Sequence, residues 1–340
     1  MATQKQILAA FLELVNTYPS PHNGQPVRLR QDTDTTFTVY FERQRGLQAT
    51  NISYIFSFVS MGIFIEHMHL CARALGHRFS YHLDLPTEAD LHGEGSVSFA
   101  TCRLDWNTRP ADSRLQQALL FRQTSRKKYT EGAGETLAKD IATIAAAGHT
   151  VLNRLSPDQA KEAIWLNQRA VFDDMFDEPV RQELDHWLRY TQTQKQTAKD
   201  GLAYDCMELN GTLMKYIVNH PSVLHLPGVS RLLRRYYLRT MTDNSDVFYM
   251  QAPFATPLNA FNVGVTIMKV WRAIAESGRY IHPFGTIMSS AQAHADFIKL
   301  AGITNETRQH AYLVFIFRCG KSAAPVRSLR IPYQEHLVTE

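Results

Sequence analysis

Two helical segments in different halves of the chain can be superimposed on one another, and no other feature restricts the fold as much. The first spans residues 62–76 (GIFIEHMHLCARALG) and the second 264–278 (GVTIMKVWRAIAESG), each bounded by glycines fourteen residues apart. Ile63, Ile65, Met68, Leu70 and Leu75 are apolar in the first, and Val265, Ile267, Met268, Val270, Trp271 and Ile274 in the second. Each pattern fits a helix buried around much of its circumference. The closing glycines, Gly76 and Gly278, stand where a helix ends in a left-handed residue. An extended stretch and a β-rich run then follow in both halves, 78–85 with 97–104 (VSFATCRL) and 279–284 with 312–319 (YLVFIFRC). A glycine-bounded helix can recur by chance, but the shared order of helix and strands favours internal duplication. The expected architecture is α+β, each half a helix-flanked sheet, with the two long helices packed together.

A length of 340 residues suits two lobes of roughly 150 residues each. Hydrophobic residues at 44% and charged residues at 20% are ordinary globular usage, which excludes disordered and fibrous classes. The net charge of +4 is small and spread along the chain, so no nucleic-acid partner follows from it and any anion site is local. Cys71, Cys102, Cys206 and Cys319 have no metal-type spacing and read as reduced thiols in a cytoplasmic protein. The N-terminal pattern is amphipathic and lacks the apolar run of a secretory signal. The most apolar stretch, 52–65, contains three serines and a glycine and stops at Glu66, short of a spanning helix. It reads as a buried helix, and no membrane partner is expected. Residues 112–239 are largely helical, interrupted by the polar stretch 190–201 (YTQTQKQTAKDG), which reads as a loop or mobile cover.

Three segments carry candidate chemistry. In 18–30 (YPSPHNGQPVRLR), Pro19 and Pro21 end the first helix and place Ser20, His22, Asn23 and Gln25 on a stiff loop able to present amides to a planar heteroaromatic ligand. A proline-stopped helix turning into a strand explains the same residues without a ligand. In 121–129 (FRQTSRKKY), Arg122, Thr124 and Arg126 combine two guanidinium groups and a hydroxyl, a set that suits a terminal phosphomonoester; a solvated basic surface is the plainer reading. The segment 318–337 (RCGKSAAPVRSLRIPYQEHL) adds Arg327 and Arg330.

These residues resemble the nitroreductase family. Pro19, Ser20, Asn23, Gln25, Pro26 and Arg28 are in register with the loop A-P-S-x-x-N-x-Q-P-W-R-F, with Val27 and Leu29 replacing tryptophan and phenylalanine. Arg122, Thr124 and Arg126 match R-x-S-x-R, which holds the flavin phosphate in that family, and Tyr129 and the C-terminal run resemble its duplicated, Acg-like branch. The resemblance implies that Arg327 or Arg330 returns to the phosphate, and that 279–285 (RYIHPFG) faces flavin N5. Pro283 has no N–H, so Phe284 or Gly285 is the implied donor there. The first half has the P-S-x-x-N loop and the second R-x-T-x-R; in the family each is supplied by a different subunit of a dimer, so the resemblance implies that the two halves complete one site.

The implied protein has tandem halves, 1–111 and 112–340, the second with a cover insertion near 190–202, and binds one FMN between them. It is expected to transfer a hydride through flavin N5 to or from a small organic substrate, with NAD(P)H a candidate donor; the alternative is non-catalytic FMN storage beneath the cover. No acid or base stands out; His22, Tyr280 and His282 are the candidates. Such a chain supplies its own interface, so a monomer suffices.

Other patterns carry less. His67 and His69 are two apart on a helix and point in different directions, so no metal pair is expected. Asp173, Asp174, Asp177 and Glu178 fit favourable charge at a helix N-terminus. The run 231–239 (RLLRRYYLR) reads as a helix with exposed arginines and buried Leu and Tyr, with RNA binding the competing reading. No GxGxxG or Walker A loop is present.

Overall fold

Phe37, Val39 and Phe41 alternate with more polar neighbours, and strand β2 (Thr36–Glu42) turns all three into the core. The computed structural model describes residues 3–49, 54–106, 108–241 and 245–338. Helix α1 (Gln4–Val15), capped by Thr3, leads into β1 (Val27–Gln31) and β2, followed by α2 (Ile55–Ala74), β3 (Arg78–Leu83), β4 (Ser96–Asp105) and α3 (Ser113–Phe121). Next come α4 (Glu135–Ala147), β5 (Val151–Arg154), α5 (Pro157–Asp173), α6 (Glu178–Trp187), β6 (Leu188–Arg189), α7 (Gln192–Ala198), β7 (Leu202–Ala203), α8 (Gly211–Asn219) and α9 (Pro227–Leu238). The chain ends with β8 (Asp246–Ala252), α10 (Pro257–Glu276), β9 (Tyr280–Pro283), α11 (Gly285–Ser289), α12 (Ala291–Ala301) and β10 (Tyr312–Gly320).

Two four-stranded antiparallel sheets result, ordered β1-β2-β4-β3 and β5-β8-β10-β9. In both, a helix precedes the first strand, a 20-residue helix joins the second to the third, and the fourth strand returns between them. The joining helices α2 and α10 pack against each other at Gly62 and Gly264, where a Cβ would lie 1.9 Å from the Phe261 carbonyl oxygen and 2.0 Å from that of Val59. Glycine is required there because backbone meets backbone. Both helices stop alike: Gly76 and Gly278 have φ of +82° and +71°, and the next residues, His77 and Arg279, donate N–H to the carbonyls of Ala72 and Ile274. Such a reversal satisfies carbonyls that the helix leaves open. One continuous core, from Phe11 to Cys319, takes in residues of both sheets.

Two expectations need correction. The apolar stretch does not stop at Glu66: α2 continues to Ala74, and it is long and apolar enough to cross a bilayer, yet nearly all of it is buried inside the protein. Its expected start at Ile52 lies outside the described residues. The stretch 190–201 is not a plain loop. Thr191 and Gln194 form a capping box for α7, and Lys195 is buried against Asp205 at 2.7 Å. Asp200 then pairs with Arg45 at 2.7 Å and Arg189 at 2.5 Å, which pins the segment to the first half.

Candidate cofactor-binding site

The loop after α1 is held in a costly conformation. His22, Asn23 and Gln25 have φ of +49°, +54° and +53°, values side chains other than glycine seldom adopt. Hydrogen bonds offset that cost: Ser20 Oγ accepts from Gln25 N–H at 3.0 Å, and the Tyr18 hydroxyl accepts from Val27 N–H at 3.2 Å. Distant chain completes the brace. Asn23 Nδ2 donates to Leu329 O at 3.0 Å, Asn16 Nδ2 to Ile331 O at 2.8 Å, and Gln25 Oε1 accepts from Ile331 N–H at 3.1 Å. The C-terminal segment is thereby laced to the loop, which carries Arg327 and Arg330 to the same place.

The second motif reaches this place along β9. Thr124 bridges Ile281, and Ser125 N–H donates to Ile281 O at 3.0 Å. A cavity of about 730 Å³ lies between these segments. Its polar end takes Pro19, Ser20, Pro21, His22 and Asn23 from the loop, Arg122, Thr124 and Arg126 from the second motif, His282, Pro283 and Gly285 from β9 and α11, and Arg327 and Arg330 from the C-terminus. Helices α6, α8 and α9 wall the other end with apolar side chains such as Leu184, Leu213, Ile217 and Leu233. Leu188 and Leu202 lie in that wall, but none of residues 190–201 does, so the cover is this helical cap and not the polar stretch.

Cations crowd the polar end. Arg122 is buried, donates to Thr17 O at 2.5 Å and lies 4.8 Å over the Trp271 ring. Burial, with repulsion from Arg330 and Arg327, pulls its pKa down to about 9, so it still carries its charge at pH 7. Burial pulls Arg330 down to about 10; it donates to Asn23 Oδ1 at 2.9 Å and covers the Tyr18 ring at 4.9 Å. Arg122 Nε and Arg330 Nε and Nη2 are buried with no hydrogen-bond partner, and so is His22 Nδ1. Burial and Arg126 push His22 down to about 4, leaving a neutral imidazole. His282 is also neutral, depressed by burial and by Arg126 and Arg318; its Nδ1 accepts from Arg318 Nε at 3.3 Å, which leaves the proton on Nε2. Guanidinium donors without partners and mutually repelling charges have the chemistry that a bound anion would satisfy.

Three expected residues lie elsewhere. Gln25 is fully buried and spends its amide on Asn23 O, Lys199 O and Ile331 N–H, so it braces the loop instead of lining the cavity. Phe284 donates its N–H to Ile316 O at 2.9 Å and has none left for a ligand, whereas Gly285 opens α11 with an N–H outside the helical ladder. Tyr280 is off the cavity, stacked on Phe121 at 4.5 Å. Conversely, sequence reasoning passed over Tyr18 and Trp271, the aromatic rings beneath the arginines, because Trp271 in a helix pattern looks like core and Tyr18 stands just ahead of the loop motif. It also assigned Asp174 to a helix N-terminus. Asp177 is the cap of α6, while Asp174 lines the cavity, its carboxyl pushed up to about 7 by burial and by Asp177 and Asp173. Of the two paired histidines, His67 is buried and within 3.2 Å of Leu14 O, and His69 stands beside Glu66.

Fold and site together define a mixed α/β protein with two four-stranded antiparallel sheets and an arginine-rich cavity. No protein-family model and no curated protein matches the chain. Among solved structures it is similar to the FMN-dependent nitroreductase NfnB from Mycobacterium smegmatis, in complex with NADPH, at 12% identity over 67% of this chain and 98% of that one, with a TM-score of 0.41.

Proposed function

We propose that this chain is a cytoplasmic FMN-dependent oxidoreductase of the nitroreductase type, built from tandem halves, 1–111 and 112–340, with one flavin between them. The observation that carries the reading is the convergence on one cavity of Arg122, Arg327 and Arg330, whose charges repel one another and whose donors include buried atoms without partners. A phosphomonoester supplies the missing acceptors. The shared strand order of the two sheets supports the duplication.

Bound FMN supplies two-electron hydride transfer at N5. Arg122, Thr124, Arg126 and a C-terminal arginine hold its phosphate, with Arg330, the more buried of the two candidates, offering two unpartnered donors. Ser20 orients the ring system, Asn23 holds Arg330 and the C-terminal segment in place beside it, and Gly285 offers the ring a backbone N–H. His282, fixed by Arg318 with its proton on Nε2, donates a hydrogen bond without bringing a charge. The apolar wall excludes water and accepts an apolar organic substrate, such as a nitro-aromatic or quinone-like acceptor.

The absorption spectrum of the purified protein tests this reading. Flavin bands, or FMN uptake on reconstitution with riboflavin refused, support it; neither bands nor uptake overturns it. A storage role draws support from the helical cap that walls the cavity. Flavin that resists reduction by NADH and NADPH and also by candidate substrates favours storage over catalysis.

A further inference from the structure

The helical cap has two faces. Inward, α8, the 3-10 turn Pro221–His225 and α9 line the cavity with Leu213, Ile217, Leu224 and Leu233. Outward, the same elements expose large apolar side chains: Leu232 is 68% accessible, Tyr216 54% and Leu226 53%, with Val229 between the two leucines. Leu226, Val229 and Leu232 stand three residues apart, so they form one stripe along α9 and its entry. Exposed Arg231 and Arg235 flank it, and Lys215 is exposed beside Tyr216 on α8.

Charge on this face has one sign. From 209 to 241 the chain holds Lys215, Arg231, Arg234, Arg235 and Arg239 and not one Asp or Glu. Among the described residues, acids approach the face where Phe176, which precedes Asp177 and Glu178, stacks on His225 at 4.2 Å, and at Glu208, whose carboxylate is paired with Lys127 at 3.0 Å. A solvated helix needs no apolar stripe on its wet side, and a protein core has no use for the arginines. An apolar stripe between cations instead has the chemistry of a helix that lies in the headgroup layer of an anionic bilayer. We propose that the outer face of α8 and α9 docks this protein on anionic lipid surfaces. The expectation of no membrane partner rested on the apolar stretch 52–65 being too short to span, which does not bear on surface docking; of the leucines in 231–239 expected to be buried, Leu233 and Leu238 are, and Leu232 is not. Because the cap's inner face is the apolar wall of the cavity, docking sets that wall against the lipid phase, a source of apolar ligands.

Co-sedimentation of the full chain with vesicles tests the proposal. Binding is expected to vesicles of phosphatidylcholine with phosphatidylglycerol, to weaken with added salt, and to be absent with phosphatidylcholine alone. The double variant Arg231→Gln, Arg235→Gln is expected to bind about 25-fold more weakly, at about fivefold per arginine. Leu232→Ser is expected to weaken binding while circular dichroism stays unchanged, since its side chain is outside the core. No binding to the mixed vesicles, or equal binding to both kinds, overturns the proposal. So does retention of a single-stranded RNA oligonucleotide by this face in place of vesicles, or a dimer that Leu232→Ser dissolves.

Discussion

Gly62 and Gly264 make the same contact in reciprocal form: each admits the carbonyl of the residue three positions before the other, Phe261 and Val59, across the crossing of α2 and α10. Backbone meets backbone on both sides, so neither position tolerates a side chain without moving the other helix.

Gly62→Ala and Gly264→Ala are each expected to destabilise the protein by about 1–3 kcal/mol, as overpacking does, in spite of alanine's better helix propensity. The double variant is expected to lose less than the sum, because the first substitution already separates the helices. Denaturant unfolding measures both. Gly228→Ala in α9, where a Cβ meets nothing within 4 Å, is the control and is expected to be neutral or slightly stabilising.

Replacing Arg122 and Arg126 together with Gln is expected to abolish FMN retention through desalting. Each charged hydrogen bond is worth about 1.5–3 kcal/mol, so one loss alone weakens binding by tenfold or more. Arg231→Gln with Arg234→Gln, outside the cavity lining, is expected to leave retention intact. Equal loss in both pairs contradicts the assignment of the phosphate pole.

Asp174 makes stability fall as pH rises. Its carboxyl is raised from 3.8 to about 7, so between those values the folded protein keeps a proton that the unfolded chain has released. The cost grows through that window and is level above it. Asp174→Asn is therefore expected to raise Tm over the parent by more at pH 8 than at pH 5, and an equal difference at both refutes the shift.

Asp200 ties the stretch 190–201 to Arg45, in the turn after β2, and to Arg189 of β6, with little exposure on any partner. Asp200→Ala strands two cations and is expected to cost about 3–5 kcal/mol. Limited proteolysis is expected to cut first near 190–201, and faster than in Asp200→Asn, which keeps hydrogen-bonding capacity.

Much of the site was legible because its chemistry is local. Prolines 19 and 21 announce a stiff loop, and Arg122, Thr124 and Arg126 announce a basic cluster, which the sequence alone leaves open between a solvated surface and an anion site. What misled was the use of single atoms. Gln25 belongs to the loop motif, yet its amide is consumed by Lys199 and Ile331, residues 174 and 306 positions away. Phe284 and Gly285 are adjacent and equal as donors until β10 takes the Phe284 N–H. The cap was placed on the polar stretch 190–201 because polarity marks loops, while the elements that close the cavity are amphipathic and look like core from either side.

The sequence by itself determined the repeated helices, their glycine ends, the strands that follow them and the supply of arginine and aromatic side chains. Those follow from backbone conformation and side-chain periodicity, which act within a few residues. Only the tertiary structure decided that Arg122, Arg327 and Arg330 share one cavity, which of their donors lack partners, and which leucines of α9 face water. Repulsion, desolvation and hydrogen-bond satisfaction depend on distances between segments, and those exist only once the chain has closed on itself.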